Sequence, residues 1–254
     1  MSDFDAAAAI DSFWAARGRG EWFPSAWNDA LSIDQAYRVL FGIMERRIAA
    51  GERQIGWKVG LTSKAIQQQF NVHEPVFGCI LDSRPSGHVF APGGLINPGF
   101  ENELCLRLGK DLSGAITREA AHAAIDAVYP ALEIIETRGP FTEQLALALA
   151  DNAQQKTVIL GAPVALPERL ETVEARVLIN GETAATGTGA AVLGDPLNSV
   201  LWLAAKLAEH GRSLKAGEII MSGSFTRQFP IRPGDTIRCD FSGIGTVATS
   251  MTRA

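Results

Sequence analysis

Cysteine is scarce in this chain of 254 residues: Cys79, Cys105 and Cys239 form an odd set with no C-x-x-C pair. That argues against a disulfide framework and against a thiolate zinc site. Histidine is almost as rare, with four residues that lack ligand-like spacing; His73 and His88 lie in loop-like stretches and receive no role. An excess of positive charge is also missing, since 23 basic side chains face 28 acidic ones. No basic stripe is available to neutralise nucleic-acid phosphates. No uninterrupted apolar run approaches the roughly 20 residues that span a bilayer. The opening residues, MSDFDAAAAIDSFWAARGRG, carry acids early and lack the basic start and apolar segment of a secretory signal. The expectation is a cytoplasmic protein that binds neither nucleic acid nor membrane.

What is present suits a packed core, with an apolar fraction of 46% and a charged fraction of 20%. Ser32 and Gln35 have capping-box spacing, and Val39, Leu40, Ile43 and Ile48 form an apolar stripe that Gly51 closes. The first 53 residues therefore read as a helical N-terminal segment, followed at 54–254 by a different architecture. IGWKVGLT suits a buried strand, and residues 84–99 are loop-like. Residues 100–108 alternate with period two, placing Glu101, Glu103, Cys105 and Arg107 on one face. A helix fits 118–128, a strand ALEIIETR follows, and a second helical stretch fits 143–153. Short strands are expected at 157–160, 174–179 and 182–186, the last two joined by Asn180 and Gly181. Asp195 and Pro196 offer a helix start with Leu197, Val200, Leu201, Ala204 and Leu207 as its stripe and Gly211 as its stop. Three more strands complete the tail, around a turn at Pro233, Gly234 and Asp235. The fold class is α+β, with many short strands curling on themselves.

The chemistry centres on Glu101 and Glu103. Two residues apart on a strand, their carboxylates project into one space and repel unless a proton or cation lies between them. Mg²⁺ or Mn²⁺ takes oxygen ligands and keeps positions open for water or substrate. Glu133 is the best third ligand, because a charge in the apolar strand ALEIIETR is costly unless paired or metal-bound. Spacing alone equally allows both carboxylates to line a solvated strand face. Lys58, between Trp57 and Val59, either reaches outward to solvent or lies beside a carboxylate as a proton-transfer group. The glycine-rich run 187–194 does not match G-x-G-x-x-G and precedes no immediate helix, so it reads as a close-approach loop rather than a nucleotide site.

Taken in order, GWKVGLTSKA (56–65), HEPVFG (73–78), ENEL (101–104), PALEIIETR (130–138), ADNAQQKTVILG (150–161), GTGAAVLGDPLNSVLWLA (187–204) and the SGSFTR tail span nearly the whole chain. As a set they resemble the 2-hydroxypentadienoate hydratase and 4-oxalocrotonate decarboxylase family, a branch of the fumarylacetoacetate hydrolase superfamily. The resemblance implies a mixed β-roll, assembly into homo-oligomers, a divalent ion on Glu101, Glu103 and Glu133, and a catalytic Lys58. Four positions depart from the hydratase pattern or mix the two patterns. PVFG at 75–78 is nearer the decarboxylase form, whereas SGSFTR is nearer hydratases of dicarboxylic dienoates. Asp195 stands where a histidine commonly precedes proline, and Glu136 replaces the usual aspartate or small residue before Arg138.

The implied activity is hydration of a 2-hydroxy-2,4-dienoate to a 4-hydroxy-2-oxo acid in aromatic-compound catabolism. Decarboxylation of a 4-oxalocrotonate-type acid and C–C hydrolysis remain alternatives, because each passes through an enolate of a 2-oxo acid. Arg138 and Arg227 are candidate partners of a substrate carboxylate through the guanidinium fork, or ordinary structural ion pairs. A reading of another class is a non-catalytic subunit in a hydratase–decarboxylase complex.

Overall fold

The computed structural model describes residues 4–253. Two helices come first, α1 (Ala6–Gly18) and α2 (Ile33–Ala49). The capping box at the start of α2 forms as its sequence predicts: the Ser32 hydroxyl accepts from Gln35 N, and the Gln35 carboxamide accepts from Ser32 N. The helix buries Tyr37, Val39, Leu40, Phe41, Ile43 and Met44. Ile48, expected on that stripe, is 45% exposed in the last turn, where the helix has run past the surface it covers.

The strands build two sheets. The larger contains β1 (Gly56–Gly60), β2 (Val76–Ile80), β3 (Ser83–Pro85), β5 (Pro98–Leu108), β6 (Ile125–Glu136), β7 (Gln155–Leu160), β10 (Ile219–Ser224) and β11 (Phe229–Pro230). Its order is β2-β1-β10-β5-β6-β7-β3, with β11 paired to β5. The smaller, ordered β4-β13-β12-β8-β9, uses β4 (His88–Phe90), β8 (Glu174–Ile179), β9 (Glu182–Thr188), β12 (Thr236–Phe241) and β13 (Gly245–Met251). Parallel pairs β1·β10, β3·β7 and β4·β13 sit among antiparallel ones, so both sheets are mixed. Short helices α3 (Lys64–Gln69), α4 (Arg118–Ala124) and α5 (Leu145–Ala150), with the longer α6 (Leu197–Glu209), complete the α-helices among the described residues. No helix among the described residues is long and apolar enough to cross a membrane.

Several local signals act as read. Asn180 and Gly181 take φ of 55° and 86°, the left-handed pair that a tight hairpin turn requires. Asp195 Oδ1 accepts from Leu197 N at 2.8 Å just ahead of α6, which starts one residue later than expected, with Pro196 rather than Asp195 in the cap position. Gly187 and Gly189 are close-approach positions: a Cβ would lie 2.2 Å from the Phe225 carbonyl oxygen in one and 2.1 Å from that of Leu170 in the other.

Three expectations require correction. The loop expected at 84–99 contains β4 and parts of β3 and β5, because three-residue strands recruited by parallel pairing to β7 and β13 leave no periodic trace. The helix expected over 118–128 stops at Ala124; Ile125 and Val128 enter β6, where β-branched side chains pair against β5. The helix expected over 143–153 is only α5, and Asn152, Ala153 and Gln154 then turn left-handed at φ 64°, 48° and 61°.

One continuous apolar core joins α1 and α2 (Phe13, Leu40) to β1 and β2 (Trp57, Phe77) and to the smaller sheet (Val177, Cys239, Val247). The opposite face of the large sheet carries a small second cluster of Ile80, Cys105, Ala131, Val158, Ile219 and Met221. Ladder partners share a face, and the register pairs Lys58 with Gly78 and Met221, Met221 with Cys105, and Glu133 with Glu101 and Val158. The glutamates and the lysine therefore occupy this second face.

Candidate active site

Glu101 and Glu133 lie directly opposite one another in the β5·β6 ladder, and Glu103 is one pleat further along β5. One carboxylate oxygen from each of the three lies within 4.8 Å of the others. The alternative of a solvated strand face does not hold, since Glu103 and Glu133 have no exposed surface and Glu101 is half-buried. Lys58 is buried too and points inward, its Nζ 3.4 Å from Glu133 Oε1. In strand order β10 and β5 stand between β1 and β6. The two side chains meet because the sheet curls and they cross its concave side.

Glu103 Oε2 accepts from Gly223 N at 2.8 Å, but Glu103 Oε1 and both oxygens of Glu133 are buried without a hydrogen bond. Leaving anionic oxygens unsatisfied costs a substantial part of their hydration energy, which a cation or proton recovers. Burial pushes the Glu103 carboxyl well above its ordinary range, and the neighbouring Glu133 and Glu101 charges push it further. Glu101 is raised by burial with Lys58 opposing, and Glu133 is raised by burial to about 7, again against Lys58. For Lys58 itself, burial works against the charge, but Glu133, Glu101 and Glu103 together outweigh it and hold the ammonium above its ordinary value. The donor set fits a hard divalent cation: three oxygen ligands, orphaned lone pairs, and a spread close to the roughly 4 to 5 Å separating opposite ligands of one Mg²⁺ or Ca²⁺.

Gly223 lies in the SGSFTR segment but receives no role from the sequence. It lies in a bulge of β10, where the register to β5 shifts between Met221 and Ser224, and its φ of 115° aims the amide at Glu103. A Cβ there would fall 2.5 Å from Thr62 Cγ2. The available signal is a glycine between two serines at the end of an apolar run, and a glycine inside a strand marks a bulge or a close approach.

The two arginines go different ways. Arg138 is buried, donating from Nε to Asp151 Oδ2 (2.5 Å), from Nη1 to Glu136 Oε2 (3.0 Å) and from Nη2 to the Asp151 carbonyl (2.8 Å). Its guanidinium also lies over the Trp22 ring. This is the ion-pair form, with the fork already committed. Arg227 stacks over Phe229 at 4.0 Å and touches the Gln228 carbonyl, and no carboxylate among the described residues pairs with it. The three thiols are free and buried.

The family model described as fumarylacetoacetate (FAA) hydrolase C-terminal matches residues 64–252. A 2-keto-4-pentenoate hydratase of Paraburkholderia xenovorans is 36% identical over 225 residues, covering 86% of this chain and 84% of the relative. A 2-oxo-hept-4-ene-1,7-dioate hydratase of Escherichia coli is 37% identical over 230 residues, 86% of each chain. Among solved structures, 4-oxalocrotonate decarboxylase from Pseudomonas putida G7, complexed with magnesium and adipate, superposes with a TM-score of 0.90 at 34% identity and covers 97% of both chains.

Proposed function

The chain belongs to the fumarylacetoacetate hydrolase family, and from that membership we propose that it is a divalent-metal-dependent hydratase converting a 2-hydroxy-2,4-dienoate to a 4-hydroxy-2-oxo acid. The observation that carries the reading is the inward-facing triad Glu101, Glu103 and Glu133, in which Glu103 Oε1 and Glu133 Oε2 lack any partner and Glu133 Oε1 has only the Lys58 ammonium at 3.4 Å. Mg²⁺ or Mn²⁺ held by those residues supplies Lewis-acid stabilisation for negative charge on the 2-oxygen of the substrate. Lys58, kept as an ammonium by its three acidic neighbours, is the candidate to hold and move a proton near the 2-oxygen or C3. Overall, the 2-hydroxyl proton is lost, C5 gains a proton, and water adds its hydroxyl at C4 and its hydrogen at C3. Arg227, unpaired among the described residues, is the guanidinium available to a substrate carboxylate; Arg138 is not, because Glu136 and Asp151 occupy it. A cytoplasmic homo-oligomer acting on a small molecule is part of the same reading. The intact glutamate set and Lys58 weigh against a non-catalytic subunit.

A decarboxylase is the second reading, favoured by PVFG at 75–78 and by the likeness to the P. putida structure. One assay separates the two. With Mg²⁺ or Mn²⁺ present, fading of the dienoate ultraviolet band without carbon dioxide identifies hydration, release of carbon dioxide identifies decarboxylation, and inertness toward a panel of 2-oxo acids and dienoates removes both. Glu103→Gln should lose metal and turnover together, and metal retained by elemental analysis would take Glu103 out of the site. Lys58→Ala should lower kcat by about 10² to 10⁴ with metal affinity retained.

A further inference from the structure

Three consecutive non-glycine residues in the left-handed region, Asn152, Ala153 and Gln154 at φ 64°, 48° and 61°, are the most strained backbone described in this protein. Asparagine tolerates that region; alanine and glutamine have no local reason to enter it. Strain of this kind persists only where surrounding contacts over-determine it. Here they do. Upstream, Arg138 grips both the carboxylate and the carbonyl of Asp151. Downstream, the Gln154 carboxamide donates to the Gly139 carbonyl.

What the turn presents is the Asn152 side chain, and its target is the backbone of Cys79. Oδ1 accepts from Cys79 N at 2.7 Å and Nδ2 donates to the Cys79 carbonyl at 2.9 Å. Cys79 lies on β2, the outermost strand at that end of the large sheet, yet it is fully buried. The carboxamide therefore does for Cys79 what a neighbouring strand would do. One residue earlier, Gly78 faces Lys58 in the β1·β2 ladder. A Cβ on Gly78 would lie 3.1 Å from both Asn152 O and Oδ1 and 3.4 Å from Lys58 Cγ. The lysine stem, a bare glycine and Asn152 are thus stacked with no slack, and the distance between β2 and the turn sets where the stem lies.

We propose that Asn152 is a positioning residue for Lys58, fixing the stem of the lysine by clamping β2 at Cys79 and Gly78, with Arg138 holding the strained turn that presents it. The inference rests on the proton-handling role assigned to Lys58 above.

A double-mutant cycle tests it, with Mg²⁺ titrated calorimetrically into every variant. Asn152→Gly suits the purpose because glycine accepts the left-handed backbone and only the clamp is lost. The expected result is a kcat lowered about 10- to 100-fold, with KM and Mg²⁺ affinity within about twofold of the parent. In the Lys58→Ala background the same change should cost nothing further. Equal fold-losses in both backgrounds, or a kcat unchanged by Asn152→Gly alone, overturn the proposal. Gly78→Ala approaches the stack from its other side and should show the same dependence on Lys58; if Asn152→Gly fails to fold, this variant decides by the same criterion. Should Lys58→Ala itself keep parental turnover, it is the assignment of Lys58 that fails, an outcome visible before the cycle is closed.

Discussion

Glu103 and Glu133 give the metal-free protein an inverted response to pH. Their carboxyls, and that of Glu101, are raised in the folded chain, Glu133 to about 7 against an ordinary value of 4.5. The folded state then binds more protons than the unfolded state between about 4.5 and 7, so these groups subtract stability as pH rises through that window. Cation binding reverses the penalty, because the bound form needs the carboxylates ionised. In chelator, the melting temperature should fall as pH goes from about 5 to about 7 relative to the Mg²⁺-saturated protein. At 100 times Kd the gap near neutrality should reach about 5 to 10 °C. Thermal scans at fixed ionic strength would check this; a gap no wider at pH 8 than at pH 5 would show that the ligands are not the titrating groups.

At the scale of single elements, local chemistry that the sequence displays is also what can be cut out cleanly. The α2 capping box is exposed at Ser32 and distant in sequence from every ligand. Ser32→Ala should cost about 1 kcal/mol in urea unfolding and leave Mg²⁺ affinity unchanged. That element was legible because a cap and a 3.6-residue stripe are written within seventeen consecutive residues. The hairpin at Asn180 and Gly181 was legible for the same reason. β3 and β4 were not, since three residues carry no period and their partners are about 75 and 161 positions away. The left-handed turn at Ala153 and Gln154 has no propensity signal at all; the Arg138, Asn152 and Gln154 contacts impose it.

Across the whole molecule, the helical segment before residue 54 contributes side chains to the common core. Tyr37 stacks on Phe77 at 4.1 Å, and Phe41 meets Trp57 edge-on. Trp57 and Phe77 lie on the face of β1 and β2 opposite Lys58 and Gly78, directly behind the site. Removing residues 1–53 would uncover a contiguous aromatic surface and loosen the strands that carry Lys58. The shortened chain should bind a hydrophobic dye and lose its cooperative melt, as followed by fluorescence and circular dichroism. A truncated protein with the parental melting profile would instead make 54–254 an independent domain.

Local patterning was enough to show which side chains could do chemistry and which of them had to be neighbours. Alternation along one strand forces Glu101 and Glu103 to the same side, and a carboxylate among the apolar residues around Glu133 demands a partner. Those inferences hold because backbone periodicity is local. It could not say that Lys58 turns inward, that Arg138 is spent on Glu136 and Asp151, or that a bulge aims Gly223 N at Glu103. Each of these depends on register and on the curl of the large sheet, which carries β1 across β10 and β5 to face β6. Distances across a curved sheet are set by how all of its strands pair and pack, and no short stretch of sequence contains them.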